Sequence, residues 1–352
     1  MANRYKLRLF SLGFIVALAF SGKAQQSEPA FEAFKQQFQK EYFSIGVLFQ
    51  GVADFQPERS MAGRNGFSIA NARLRVYGKM DAGFGYLVQS SFVSNPVLLD
   101  GKMYLEVSPQ LAVDFGLFKA PFSGELLTSA AALDFVNRSQ VVSALAPGRQ
   151  IGFQFRGRAA QDRLHYFAGM FNGNGRTFSG NDNNHFLYAA RAAFYPLKQD
   201  GVSRQAPHVE VGLNGAVSKD DRAAIPFPGL DGPFSGNRYL YGLDLRAERY
   251  PYLLSGEILA ASLDGRSGAR MVDINPWGFH LTGGYYAMPD LQLLVRWDSL
   301  HPDEVAPTVN LLILGLNYWP SQIAEFQLNW VADTDNNLVK NGQWLVNAQI
   351  YF

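Results

Sequence analysis

Arg73, Arg75 and Lys79 fall on alternate positions of the run Phe67–Lys79, and Ala72, Leu74, Val76 and Gly78 take the positions between them. A period of two puts each set on its own face of a β-strand. The pattern recurs with Arg156 and Arg158, with Arg191, with Arg246 beside Asp244 and Glu248, and with Arg296 beside Asp298. Rows of fixed cations beside water attract anions. The same arginines can instead pair with Asp100, Glu106, Asp244, Glu248, Glu257 and Asp298 on neighbouring strands and brace a sheet; the sequence leaves both readings open. Bond-making chemistry has little support. Cysteine is absent, which excludes thiolate ligands and cysteine nucleophiles. His165, His185, His208, His280 and His301 show no close metal-ligand spacing, and no HExxH, GxSxG, Walker A or GxGxxG motif occurs. The stretch FNGNGR at residues 171–176 lacks a βαβ context and reads as a turn. The expectation is a protein without catalytic residues, metal or cofactor.

The elements that carry these charges are strands with one apolar face. Tyr239, Tyr241, Leu243, Leu245 and Ala247 alternate with Asp244, Arg246 and Glu248, and Leu291, Leu293, Val295 and Trp297 alternate with Arg296 and Asp298. About 16 such runs lie between Phe43 and Phe352. A polar second face is costly in a sandwich core and natural beside a water-filled lumen, so the pattern predicts an all-β, transmembrane antiparallel barrel. Connections of alternating length agree. One set spans 52–66, 94–97, 119–148, 172–184, 218–238, 264–275, 299–307 and 332–342, and the other set consists of tight turns apart from 196–207. Long outer loops and short inner turns are the habit of such barrels. Trp277, Tyr285, Trp297, Tyr318, Trp330 and Trp344 fall near strand ends, where interfacial aromatic girdles would use them.

Targeting fits this placement. Arg4, Lys6 and Arg8 precede an apolar run, Leu9–Phe20, and the small residues Ser21, Gly22 and Ala24 follow, so residues 1–24 read as a signal peptide. Its removal takes away four basic side chains and no acid; 27 basic against 30 acidic side chains remain, a net charge near −3. That balance gives no reason to expect a nucleic-acid partner. Residues 25–42 form a polar N-terminal segment expected in the periplasm, with Phe31, Phe34 and Phe38 at helical spacing, and residues 43–352 form the barrel.

The third outer connection is the longest and only weakly polar, with Pro121, Gly124, Ala130–Ala132 and Pro147-Gly148 among few charges. A connection of that length needs a reason. Folded inward, it would narrow a wide lumen, with Lys119, Glu125, Asp134, Arg138 and Arg149 at the aperture.

The strings FKAPFSGELLTS at 118–129, LDFVNRS at 133–139 and PGRQIGFQFRG at 147–157 resemble the phosphate-selective porins O and P, and FNG at 171–173, LLVRWD at 293–298 and GLNYW at 315–319 add to the likeness. The terminal Phe352, closing QWLVNAQIYF, resembles the C-terminal signature of bacterial outer-membrane barrels. The resemblance implies a 16-stranded, homotrimeric porin in the outer membrane of a Gram-negative bacterium, with the third outer loop in the lumen. In that family an arginine ladder and constriction lysines select phosphate. Here Arg73, Arg75, Lys79, Arg156, Arg158, Arg191, Arg246 and Arg296 are the pore-lining candidates, and a dense lysine cluster is missing. The expected function is passive diffusion of small hydrophilic solutes, with anions or phosphate favoured, in contact with outer-membrane lipid. The competing reading is a plugged structural or assembly barrel whose loops at 172–184 and 218–238 bind protein partners.

Overall fold

In the computed structural model, described for residues 36–58, 65–93, 95, 97–197, 207–335 and 341–352, the chain is a closed antiparallel barrel. The expected signal peptide, the N-terminal segment before residue 36 and most of the 196–207 turn lie outside the described residues. The strands are β1 (Ser44–Phe55), β2 (Gly66–Lys79), β3 (Phe84–Ser91), β4 (Val97–Ser108), β5 (Leu111–Lys119), β6 (Arg149–Ala159), β7 (Leu164–Phe171), β8 (Leu187–Phe194), β9 (His208–Ala223), β10 (Phe234–Arg249), β11 (Tyr252–Ser267), β12 (Arg270–Ile274), β13 (Trp277–Met288), β14 (Leu291–His301), β15 (Val309–Ser321), β16 (Ala324–Asp333) and β17 (Gln343–Tyr351). Each pairs with its chain neighbours, except that β12 and β13 both pair with β11 and not with each other, and β1 closes the ring on β17 in the register Leu48↔Tyr351 through Phe55↔Trp344. The barrel has 16 staves, because β12 and β13 both run along β11, at Leu263↔Ile274 and Ala260↔Trp277. The break falls at Asn275-Pro276, where proline has no N–H to donate to the ladder.

The two faces of the wall are inverted relative to a soluble β-protein. Leu213, Tyr241 and Leu281 face outward at 64%, 58% and 53% exposure, and Asn214, Glu257 and Arg296 face inward at 6%, 5% and 2%. An apolar exterior around a polar interior is stable only where lipid surrounds the barrel, and closure leaves no unpaired edge in it. Trp277, Tyr285, Trp297 and Trp344 also face outward. No helix among the described residues is long and apolar enough to cross a membrane.

Two expected loops are partly strand. Residues 218–223 extend β9 and residues 234–238 extend β10, while the 264–275 connection contains the end of β11 and all of β12. Ladder hydrogen bonds continue beyond the apolar band, so charged residues such as Lys219 and Asp220 stay in extended pairing without the alternation that marks a lipid-facing strand. Arg238 and Asp220, both buried and 2.8 Å apart, brace this extension.

The connection from β5 to β6 carries two short helices, α1 (Gly124–Leu127) and α2 (Gln140–Leu145). Each begins on a serine cap: Ser123 accepts from the Leu126 N–H and Ser139 from the Val142 N–H. Val141, Val142, Ala144 and Leu145 of α2 are buried, and the helix packs on β11, β13 and β14. They join Phe122, Leu240, Leu259, Leu263 and Leu300 in one apolar cluster.

Candidate functional site

The inward face between β8 and β14 is a lattice of charge pairs. Arg191, almost wholly buried, donates to Asp244 at 2.5 Å and to Glu210 at 2.6 Å, and also to Asn214. These groups sit together because the register aligns Arg191 with Asn214 and Gly212 with Asp244. The next rows align Asp244 with Glu257, Glu257 with His280, and His280 with Asp298.

Residues 123–140 attach to this lattice. The Ser123 hydroxyl donates to Glu257 at 2.6 Å, and the Glu125 N–H donates to the same carboxylate. Asp134 receives both arms of Arg246 at 2.8 and 3.0 Å. Glu125 receives Arg296 at 2.7 Å and the Ser139 N–H at 2.8 Å. Burial disfavours the Glu125 carboxylate, but the Arg296 guanidinium, with His280 and Ser139, overrides this and holds its carboxyl down at about 2. The Gln140 N–H donates to Asp298 at 2.9 Å, and the Val136 N–H to Asn329 at 2.8 Å. Gln327 and Gln349 donate to the carbonyls of Leu133 and Ala131. Anchors therefore run from β9 to β17.

Gly124 makes the first of these contacts possible. A Cβ there would lie 2.9 Å from an Asp244 oxygen and 3.2 Å from a Glu257 oxygen. The backbone of α1 sits against two carboxylates that leave no room for a side chain.

The opposite wall, β2 to β6, is basic. Arg73 and Arg75 have no ion-pair partner among the described residues, and Arg75 lies over the Tyr77 ring at 4.7 Å. Lys102 is 3.2 Å from Asp114, and Arg149 grips Asp100 through both arms at 3.0 and 2.9 Å. Lys119 is held by the carbonyls of Leu127 and Thr128, and Arg138 by those of Glu125 and Thr128. Between this wall and residues 127–134 lies a cavity of about 700 Å³. A smaller one, about 80 Å³, lies under α1 beside His280, whose two ring nitrogens have no hydrogen-bond partner.

The structure divides the candidate residues. Arg73, Arg75, Lys119, Asp134, Arg149 and Arg246 line the large cavity. Glu125 and Arg296 meet each other beneath α1, Arg138 stays within the connection, and Arg191 is enclosed in its triad. Lys79 pairs with Glu106 at 2.7 Å, Arg156 pairs with Asp114 at 3.1 Å, and Arg158 is exposed near the 160–163 turn; all three lie away from the cavity. Sequence reasoning did not single out Lys102, Asp114, Glu210 or His280. Parity alone marks Lys102, Asp114 and His280 as inward-facing; their partners needed the register.

The family model described as phosphate-selective porin O and P matches residues 45–225. Among solved structures, an anion-selective porin from Comamonas acidovorans superposes with a TM-score of 0.65 at 12% identity, covering 89% of this chain and 100% of that one. OmpT of Vibrio cholerae, solved in a trimer form, gives 0.62 at 11% identity over 88% of this chain and 99% of its own. The outer-membrane channel DcaP of Acinetobacter baumannii gives 0.59 at 12% identity over 90% and 99%. Nothing among curated proteins matches the chain significantly. The matched model covers the five strands that carry the basic wall and the connection between β5 and β6, and the barrel agrees with it in architecture: the chain belongs to the phosphate-selective porin O and P family.

Proposed function

We propose that this outer-membrane porin passes small hydrophilic solutes through a lumen narrowed by the inward-folded 120–148 connection, and that the remaining aperture favours anions. The anchors of residues 123–140 on inward-facing side chains support the fold of the loop. One observation carries the selectivity: the acids of the connection, Glu125 and Asp134, are tied to Arg296 and Arg246, whereas Arg73 and Arg75 face the cavity without an acid partner among the described residues. The passage thereby keeps a positive excess on one side, and fixed charge at a constriction sets which ions enter.

The test is the zero-current potential of the purified protein in a planar bilayer under a KCl gradient. Wild type should show a potential of the sign for chloride preference, and Arg73→Gln with Arg75→Gln should shift it toward potassium. An unchanged potential in the double variant would refute the assignment to these arginines; absence of any conductance would instead point to the plugged barrel. We further infer a homotrimer, supported by the trimer form of the Vibrio cholerae relative; a monomer mass for the detergent-extracted protein would overturn it. Cleavage of residues 1–24 is inferred from the basic, apolar and small-residue blocks of that stretch, and mass spectrometry of the mature chain tests it.

A further inference from the structure

The cavity beside the basic wall is not lined as a site for a bare inorganic anion would be. Its volume of about 700 Å³ is in the range of pockets that hold organic ligands, roughly 300–1,000 Å³. Acids line it as well, among them Asp100 held by Arg149 and Asp134 held by Arg246, but around Arg73 and Arg75 cations stand beside apolar groups. The register places Arg73 directly opposite Leu48 and Leu48 directly opposite Tyr351, so a guanidinium, an aliphatic side chain and a phenol ring stand in one row on three adjacent strands. In the neighbouring row Arg75 faces Gly46, and its guanidinium lies over that glycine beside a Phe352 oxygen, at the edge of the cavity, where a side chain would crowd it. Leu87, one strand further, and Trp319, beyond Tyr351, continue the apolar lining on either side. A hydrated phosphate or chloride gains from Arg73 and Arg75 but gains nothing from Leu48 or from the ring face of Tyr351, which offer it no charge and no hydrogen bond. From Arg73 to Tyr351 the backbone distance is on the order of 10 Å, two strand spacings. A benzene ring bearing a short carboxylate arm spans most of that distance.

We infer that the constriction binds organic carboxylates with an apolar or aromatic body, the carboxylate on Arg73 and Arg75 and the body on the Leu48–Tyr351 surface. The inference rests on the anion-selective porin reading and deepens it. Stacking or burial of the body adds a contribution that an inorganic anion lacks. The site so described is a transient binding station in the diffusion path.

Block of the chloride current by added anions tests this. Phenylacetate, acetate and inorganic phosphate are titrated on the same face of a bilayer holding the purified wild-type porin. Phenylacetate should half-block at a concentration about tenfold below acetate, the difference being the ring alone. Leu48→Ser and, separately, Tyr351→Ser should each raise the phenylacetate half-block concentration about fivefold and leave that of acetate unchanged. Equal potency of phenylacetate and acetate in wild type, or stronger block by phosphate than by phenylacetate, would overturn the inference while leaving an anion-selective chloride current intact. Loss of the current itself, or a cation-selective potential, would mark failure of the porin reading instead. The wild-type comparison stands even if a variant fails to assemble.

Discussion

The contact most open to a decisive perturbation is the one between Glu125 and Arg296. Glu125→Gln keeps the shape of the side chain and removes its charge, leaving the Arg296 guanidinium, 2% exposed, without its ionic partner. Two estimates of the loss agree. A carboxyl held at about 2 instead of 4.5 corresponds to roughly 3 kcal/mol of preference for the docked, ionised state. Removing one member of a buried ion pair costs about 3–5 kcal/mol in general. The sign follows from the depression: the carboxylate favours docking fully above the ordinary value of 4.5, and the contribution is lost as pH falls toward about 2. Docking does not vanish, because Asp134–Arg246, Ser123–Glu257 and Gln140–Asp298 persist. The assay is open-channel current noise of single channels as a function of pH. Wild type should be quiet from pH 7 to about 4.5 and grow noisier below. Glu125→Gln should be noisier at pH 7 and show a smaller further rise on acidification. Every other acid is the same in both proteins, so the difference between the two curves isolates Glu125. Superimposable curves would refute the view that this pair holds the connection to the wall.

Other outcomes follow from the same contacts. Gly124→Ala drives a methyl toward Asp244 and Glu257 and should cost docking about 1–3 kcal/mol, seen as raised current noise at pH 7 with an unchanged zero-current potential. Arg191→Met strips the buried cation from Asp244 and Glu210 and should cost about 3–5 kcal/mol, lowering the temperature at which the folded barrel converts to its unfolded mobility on a gel. Arg191→Lys should restore only part of that, since one ammonium does not reproduce the two-armed grip on Asp244.

What the sequence reveals here depends on the range of the interaction. Strand positions were legible because lipid on one side and water on the other force alternation residue by residue; Leu213 beside Asn214 or Leu281 beside His280 shows it within two positions. The upper parts of β9 to β12 were missed because alternation ends where lipid ends, although the hydrogen-bond ladder does not. The candidate charges were visible as types, but their partners were not. Arg246 finds Asp134 across 112 positions and Arg296 finds Glu125 across 171, and only the closed register fixes such meetings. Arg75 and Arg191 look alike in sequence, each alternating with apolar residues. One lies open to the cavity and the other is closed within acids, because β9 and β10 supply Glu210 and Asp244 where β1 and β3 supply Gly46 and Gln89.

In the proposed function, that difference between walls is how a chain with a near-neutral balance would present a charged aperture. Net charge does not govern a pore; the charge left uncompensated at the constriction does. The connection carries two acids, Glu125 and Asp134, and each would offset the basic wall if it faced the cavity alone. Each is instead placed against an arginine of β14 or β10 by the capped helix α1 and by the backbone anchors at Leu133 and Val136. Arg73 and Arg75 are left facing water, and Asp100 and Asp114 are occupied by Arg149, Lys102 and Arg156. Under the proposed function, selectivity is a property of which pairs the docked connection makes. A perturbation that frees Glu125 or Asp134 into the cavity should weaken anion preference even though no basic residue of the wall has changed.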